Sequence, residues 1–390
     1  MKARRRIAVI TGTRADYGLL RSLLAGVSGD ADLQLQLLVT GAHLSPEFGL
    51  TYREIEADGY AIDARVDMLL SSDSPAGVTK SMGIGLIGFA DALTRLQPDV
   101  LVVLGDRFEA LVAAQAAAIA RIRVAHIHGG ETSEGAIDES LRHAISKLAH
   151  WHFVAAESYR RRVIQMGESP AQVFNVGAPG LDGLHERQWL SRDDLTAVLG
   201  LPLERRPLFL VTYHPATLGD MPPGSAMAEL LAGLDYFGDA SVVFTYPNAD
   251  TGGRELIAMI NDYVAAHRQR MCTVVSLGSM RYLSLLREAD VVIGNSSSGL
   301  TEAPALKRAS VNIGDRQKGR LKAASVIDAA ESRDAIAQAI TEALSPAFQR
   351  VLANTVSLYG EGGASAKIVA QLKAALPPMQ KHFHDIDYEI

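Results

Sequence analysis

Residues 7–40 read IAVITGTRADYGLLRSLLAGVSGDADLQLQLLVT, and the change of period inside this stretch decides the fold. Ile7–Thr11 is a short β-branched run. Leu19, Leu20, Leu23, Leu24 and Val27 then recur at helical spacing, and Leu35–Thr40 is strand-like again. This is a βαβ opening. The alternation continues outward through Val100–Leu104, Val124–Ile127, Phe153–Ala155 and Val173–Val176. Each run is nearly all apolar, as strands covered by helices on both faces must be. A doubly wound parallel sheet follows for the first half.

Beyond Gly177-Ala178-Pro179-Gly180, from His185 to Pro207, charge and turn formers replace any sustained apolar run, which marks a domain junction. The alternation restarts with Leu208–Thr212, Val242–Thr245, Thr273–Ser276, Val291–Ile293 and Val311–Ile313. The expected organisation is therefore α/β throughout: an N-terminal Rossmann-like domain over 1–184, a linker over 185–206 and a second Rossmann-like domain over 207–365. A final helix near Ala366–Leu376, stopped by Pro377-Pro378, and a tail fill 366–390. In such sheets ligands sit beyond the carboxyl ends of the strands, so a cleft between the two domains is the place to look for chemistry.

Composition limits the classes of function. A chain of 390 residues exceeds what one core usually serves, and 48% apolar with 21% charged residues is ordinary for a globular protein. A net charge of −6 repels polyphosphate surfaces, so neither a nucleic acid nor an anionic membrane is an expected partner. Cys272 is the only cysteine, which excludes an internal disulfide and a thiolate metal cluster. The apolar run after Arg4-Arg5-Arg6 is far shorter than a signal-peptide core, and a cytoplasmic location is expected.

Several strand-end loops carry candidate chemistry. Gly12-Thr13-Arg14 offers close backbone approach and a forked cation suited to a phosphate, with Asp16 placed to cap the next helix. Gly294-Asn295-Ser296-Ser297-Ser298-Gly299 precedes a helical run and can direct amides and hydroxyls at a diphosphate, while Glu302 can accept from ribose hydroxyls. Leu104-Gly105-Asp106-Arg107 follows a very apolar strand, where partial burial is expected to raise the Asp106 pKa. The densest cluster is His126-Ile127-His128-Gly129-Gly130-Glu131, followed by Asp138-Glu139 and Arg142-His143. Strand alternation places His126 and His128 on one side. That arrangement fits acid–base chemistry and also leaves open a zinc or manganese site. His214 ends the first strand of the second half and His43 lies in a similar loop of the first; each alone is equally compatible with a structural role. Asp30 and Asp32 precede a strand, at the wrong end of the sheet, and are expected in a solvated turn.

Taken in order, Gly12-Thr13-Arg14, Gly105-Asp106-Arg107, His126-x-His-Gly-Gly-Glu131, Asp138-Glu-Ser-Leu-Arg-His143 and Asn295-Ser-Ser-Ser-Gly-Leu-Thr-Glu-Ala-Pro304 closely resemble the hydrolysing UDP-N-acetylglucosamine 2-epimerases, over about residues 5–375. That resemblance implies the glycosyltransferase-B architecture and a place in sialic or legionaminic acid pathways. It implies cleavage of UDP-N-acetylglucosamine or UDP-N,N′-diacetylbacillosamine to UDP and the C2-inverted free sugar, by anti elimination and syn addition of water, with no cofactor. On this template Asp106, Glu131, Asp138 and Glu139 transfer protons or support the transfer, and His214 assists. Arg14, Ser297, Ser298, Gly299 and Glu302 hold UDP, while Arg107, His43 and Arg142 position the sugar. Some relatives carry Glu where this chain has His128, which leaves the main base open between a carboxylate and His128 itself. A UDP-sugar is the expected partner, and a homo-oligomer is compatible with it. A non-hydrolysing 2-epimerase, a His-x-His metallohydrolase and a nucleotide-sugar sensor are the competing readings.

Overall fold

The computed structural model describes residues 4–134, 136–184, 188–204, 206–216, 221–247, 252–275 and 277–386. The first seven strands are β1 (Arg5–Thr11), β2 (Leu33–Thr40), β3 (Ala64–Val66), β4 (Val100–Leu104), β5 (Arg123–Ile127), β6 (Trp151–Val154) and β7 (Val173–Asn175). They form one parallel sheet in the order β3-β2-β1-β4-β5-β6-β7. Six more strands, β8 (Leu208–Thr212), β9 (Ser241–Thr245), β10 (Met271–Val274), β11 (Val291–Gly294), β12 (Ala309–Ile313) and β13 (Val326–Ala329), form a second. Their order is β10-β9-β8-β11-β12-β13, again parallel. Strand order therefore reverses at β1/β4 in one sheet and at β8/β11 in the other. Those two switch points are where a doubly wound sheet opens a crevice.

The apolar runs become strands because both faces are covered: every residue of β4, β8 and β9 is buried. On one side of the first sheet, Leu20, Leu23, Leu24 and Val27 of the helix Arg14–Ser28 pack over Val9, Val102 and Phe153. On the other, Phe89 and Leu93 join Ala113 and Ala117 over Ala8 and Val103. The second sheet has the same two-sided core.

Three features were not legible in the sequence. β3 and β13 are edge strands of three and four residues, too short to show a period. Within the expected junction, Arg192–Leu199 forms a helix closed by a Ser191–Asp194 capping box, and its Leu195 is buried with Leu208 and Val243 of the second sheet. The last helix, Ala364–Lys373, returns to the first domain, where Ala364, Ile368 and Leu372 complete the core containing Leu20 and Leu24. The tail continues along that domain: Arg123 Nε donates to the Pro377 carbonyl (2.7 Å) and His384 N to the Gly167 carbonyl (2.9 Å). Ser276, the expected end of β10, and residues 185–187 and 205 of the expected linker lie outside the described residues. Among the described residues no helix is long and apolar enough to cross a membrane.

Candidate active site

The two switch points face one another across a cavity of about 230 Å³ that opens to solvent. The first domain lines it with Arg14, Asp16, Asp106, Arg107, His128, Glu131, Ser133, Asp138 and Arg142. The second contributes His214, Tyr282, Ser296, Ser297, Ser298, Glu302, Arg316, Gln317 and Arg320.

The first-domain wall is organised by Arg142, fully buried in the helix Asp138–Leu148. Its guanidinium donates to the Asp106 carboxylate, to Glu139 Oε2 (2.6 Å), to Ser133 Oγ (2.8 Å) and to the Glu131 carbonyl (2.9 Å). Arg320 arrives from the loop after β12 and meets Glu131 Oε2 at 3.1 Å and Asp106 at 3.8 Å, while its Nε donates to the Thr132 carbonyl (2.8 Å). Burial pushes the Asp106 pKa up, but Arg142 and Arg320 outweigh it and hold the group at about 2. The sequence-based expectation of a raised pKa is thereby corrected: desolvation is present, yet two cations drawn from distant parts of the chain reverse its effect. Glu131 is likewise held at about 2 against its burial, by Arg320 and His128. Both carboxylates are ionised at neutral pH.

His128 Nδ1 lies 2.5 Å from Glu131 Oε1. The carboxylate is charged and can only accept, so His128 Nδ1–H is the donor of this bond. A left-handed backbone at His128 (φ 66°) turns the residue out of β5 into the cleft. Such a conformation is uncommon outside glycine and gathers at functional sites. It also corrects the expectation that His126 and His128 share one side, because the strand ends at Ile127. His126 is instead sealed inside, with Nε2 2.7 Å from the Gly105 carbonyl and Nδ1 3.1 Å from Ser146 Oγ. Burial drives its pKa down to about 3, so it is a neutral tie between the Asp106 loop and the helix of Arg142. With both ring nitrogens used, His126 does not join His128 as a metal ligand. Among the described residues no group of three or more His, Cys, Asp or Glu is placed to hold a metal ion.

Three further expected contacts are not brought to the cleft. His43 is completely buried between Thr11 Oγ1 (2.9 Å) and Thr51 Oγ1 (2.7 Å), its pKa lowered by burial to about 4, because the 3₁₀ turn after β2 points it inward. Glu139 stands behind Arg142, also accepting from Ser133 N at 2.6 Å, so it braces the guanidinium and does not line the cavity. Gly299 packs on β12, where an added Cβ would sit 2.6 Å from Ser310 Oγ; it sets the distance between helix and strand. Arg142 does reach the cavity wall, but its Nη donors are taken up by Asp106, Glu139, Ser133 and the Glu131 carbonyl, while its buried Nε meets no acceptor among the described residues.

Arg14, Ser297, Ser298, Glu302, Arg107 and Asp138 all line the cleft. Thr13 and Asp16 close a capping box at the start of the helix Arg14–Ser28, which fixes Arg14 at its first position. Arg14 Nη1 reaches the Val275 carbonyl of the other domain (2.6 Å). Asp16, beside Arg107 and Glu109, is pushed by burial up to about 6. On the second-domain side Gly294 has φ 132°, and a side chain there would strike the Thr212 carbonyl, so β8 and β11 end in close contact. Asn295 then clamps His214: its Oδ1 accepts from His214 N (2.7 Å) and its Nδ2 donates to the His214 carbonyl (2.8 Å). The Asn295 carbonyl accepts from Gln317 (2.8 Å) and Arg316 (3.1 Å). The helix Ser298–Ala305 begins at this point, with its amide end at the cavity wall.

Arg316, Gln317 and Arg320 are the residues that reading the sequence missed, and Asn295 was read only as part of the serine loop, without its clamp on His214. The signal was present, since Gly314-Asp315-Arg316-Gln317-Lys318-Gly319-Arg320 follows β12 in the same way that Gly105-Asp106-Arg107 follows β4.

Two doubly wound domains with a cleft between their switch points define a glycosyltransferase-B architecture, and a solved structure shows the same fold. The UDP-GlcNAc 2-epimerase of Neisseria meningitidis, solved bound to UDP-GlcNAc, superposes with a TM-score of 0.79 at 17% identity, covering 94% of this chain and 99% of that one. Residues 26–373 match the model of the UDP-N-acetylglucosamine 2-epimerase family, and the chain belongs to that family. It is 42% identical over 326 residues to the GDP/UDP-N,N′-diacetylbacillosamine 2-epimerase (hydrolyzing) of Campylobacter jejuni, covering 84% of each. It is 36% identical to the UDP-N,N′-diacetylbacillosamine 2-epimerase (hydrolyzing) of Legionella pneumophila, covering 95% of this chain and 96% of that one.

Proposed function

We propose that this chain hydrolyses UDP-N,N′-diacetylbacillosamine with inversion at C2, giving UDP and the free 2-epimeric sugar. The observation that carries the reaction is the His128–Glu131 pair at 2.5 Å on the cleft wall. Two relatives named for this activity, at 42% and 36% identity, support the choice of sugar.

The chemistry asks for a base at C2, a place for departing UDP and a proton returned to the opposite face. His128 Nε2 takes the C2 proton, and Glu131 stabilises the imidazolium that forms. The C1–O bond breaks as the C1–C2 double bond forms, and UDP leaves with the electron pair. Its diphosphate is held by the amide end of the helix Ser298–Ala305, Ser297 and Arg14, donors fixed before charge develops. Glu302 accepts from the ribose. Water then adds across the double bond from the other face: Asp138 delivers a proton to C2, water attacks C1, and the proton that water sheds returns to Asp138 while the one taken by His128 passes to solvent. Asp106 and Arg142 keep the wall around the ring charged and fixed, Arg107 contacts the sugar, and His214 assists from the second domain. Only protons, water and the leaving group move, so the reaction itself calls for neither a nicotinamide nor a metal.

The same proposal divides the chain at 185–206, with acid–base groups before the junction and nucleotide contacts after it, and places the enzyme in the cytoplasm. NMR of products from UDP-N,N′-diacetylbacillosamine and UDP-N-acetylglucosamine, run side by side in deuterated water, tests it. Equimolar UDP and C2-deuterated, inverted free sugar are expected, with the bacillosamine substrate faster by about tenfold, a difference of roughly 1.4 kcal/mol. A UDP-linked epimer without free UDP, or binding without turnover, would overturn the reaction; a faster UDP-N-acetylglucosamine would overturn the choice of sugar.

A further inference from the structure

Leu321, the residue after Arg320, is held through both its N–H and its carbonyl by two tyrosine hydroxyls. Its N–H donates to Tyr159 Oη (3.0 Å), and its carbonyl accepts from the Tyr359 hydroxyl (2.9 Å). The two hydroxyl oxygens lie 3.1 Å apart. Tyr359 has a single hydroxyl proton and gives it to Leu321, so the third bond runs from the Tyr159 O–H to Tyr359 Oη. Three hydrogen bonds therefore close a circuit in which each group donates to the next. Bonds linked in this way strengthen one another in a low-dielectric interior. Both tyrosines are buried, with aromatic centroids 6.1 Å apart. Burial and the nearby Glu131 carboxylate raise both phenol pKa values, so both hydroxyls keep their protons at neutral pH.

Three parts of the chain meet in this circuit. Tyr159 lies in the helix Glu157–Gln165 of the first domain, Leu321 in the loop after β12 of the second, and Tyr359 in the segment that leads back to the helix Ala364–Lys373. The Tyr359 carbonyl accepts from Ala178 N (2.8 Å), which ties that returning segment to the end of the first domain. The helix of Tyr159 also supports the loop of His128 and Glu131. Arg162 Nη1 donates to the Gly130 carbonyl (2.5 Å), and a side chain at Gly130 (φ 75°) would strike the Tyr159 carbonyl. One turn of helix thus fixes the backbone just before Glu131 and, through the Tyr159 hydroxyl, the loop that delivers Arg320 to it.

We propose that Tyr159 and Tyr359 are positioning residues for the hydrolysis: their hydrogen-bonded circuit with Leu321 seats the Arg320 guanidinium 3.1 Å from Glu131 and 3.8 Å from Asp106, and so holds the partner of His128 in place. Neither tyrosine lines the cavity, so both act through Arg320. The effect on turnover rests on the proposed reaction; the seating does not. Tyr159→Phe, Tyr359→Phe and the double variant test both, because each keeps the aromatic packing and removes only hydroxyls. Each single variant is expected to lower kcat by about tenfold with KM within about threefold. The acid limb of kcat/KM is expected to move to higher pH by about one pH unit, since a displaced cation lets the His128–Glu131 pair take up a proton more readily. The double variant should lie within about threefold of the singles, because losing one member already opens the circuit. Melting temperature without substrate, followed as pH falls from about 7 to about 3, reads the seating alone. Glu131 and Asp106, held at about 2, add stability that is present above about pH 4 and is lost as pH falls towards 2. The gap between wild type and each variant is therefore expected to narrow below about pH 4. A gap of the same size at every pH, an unmoved acid limb, or losses that add in the double variant would each overturn the proposal. A wild-type chain that releases no UDP would instead overturn the proposed reaction, with the melting measurement still deciding the seating.

Discussion

The two switch points share one topology and use it in opposite ways. At the β4/β5 ends of the first sheet, Asp106, Glu131 and His128 are knit to Arg142 and Arg320 in a buried ionic web. At the β8/β11 ends of the second, Asn295 and His214 are joined by amide hydrogen bonds, and Ser296–Ser298 open a helix. A charged wall keeps acids and bases fixed before the substrate arrives. The amides and hydroxyls of the Asn295–Ser298 loop present donors to an anion that the substrate brings. Arg320 belongs by sequence to the second domain and by contact to the first, so the web is complete only when the domains are together.

The contrast can be broken most severely at the charged wall. Replacing His128 with Ala is expected to lower kcat by about 10³-fold, in the range for losing a general base, while UDP affinity stays within about tenfold. Isothermal titration with UDP beside single-turnover kinetics reads both. Asp106→Asn should follow the same pattern, and unchanged turnover in both variants would remove the charged wall from the chemistry.

Next comes Arg320→Leu, which leaves Glu131 and Asp106 with one cation fewer. Breaking a buried pair costs about 3–5 kcal/mol, and chemical denaturation should show a loss of that order. A loss below about 1 kcal/mol, as for a surface pair, would mean that Arg142 alone sustains the web. Where the diphosphate is to be held, Arg14→Ala is expected to weaken UDP binding by about tenfold with little change in the chemical step, the reverse of His128→Ala. Normal UDP affinity in that variant would end its phosphate role.

The smallest effect expected is on acid stability. His43 and His126 are buried neutral with pKa values of about 4 and about 3, whereas in the unfolded chain each takes up a proton below about 6.5. Their stabilisation is complete above that pH and is lost as pH falls towards 4 and 3. Asp16, raised to about 6, and Glu302, also raised by burial, act in the opposite sense, but against four histidines lowered by burial, His150 and His152 among them. Asp106 and Glu131 add a second loss only below about pH 4, down to their values of about 2. Melting temperature should therefore fall between pH 6.5 and 5, before Asp106 and Glu131 titrate; a rise over that interval would contradict the buried, neutral histidines.

Much of this protein is local and was legible. β4 and β8 fall on the residues that their apolar runs marked, since a strand buried on both faces leaves little freedom of composition. The strand-end rule then placed Asp106, His128 and the serine loop at the cleft, and the order of motifs named the family. The same rule applied to Gly314–Arg320 would have found Arg316, Gln317 and Arg320, whose loop lacks the histidines and paired carboxylates that drew notice elsewhere.

What no sequence pattern held was the state of the charged groups. Arg142 and Asp106 are 36 positions apart, and Arg320 and Thr132 are 188 apart. Whether a buried carboxylate is raised or lowered depends on cations within a few ångströms, and those came from another helix and another domain. His128 turned the same way, through a backbone dihedral at the end of β5 that alternation could not foresee. The sequence by itself determined which residues stand at the strand ends, because burial and period are properties of neighbours along the chain. Tertiary structure alone decided which of them pair, which are sealed away and which face the substrate, because electrostatics acts through space.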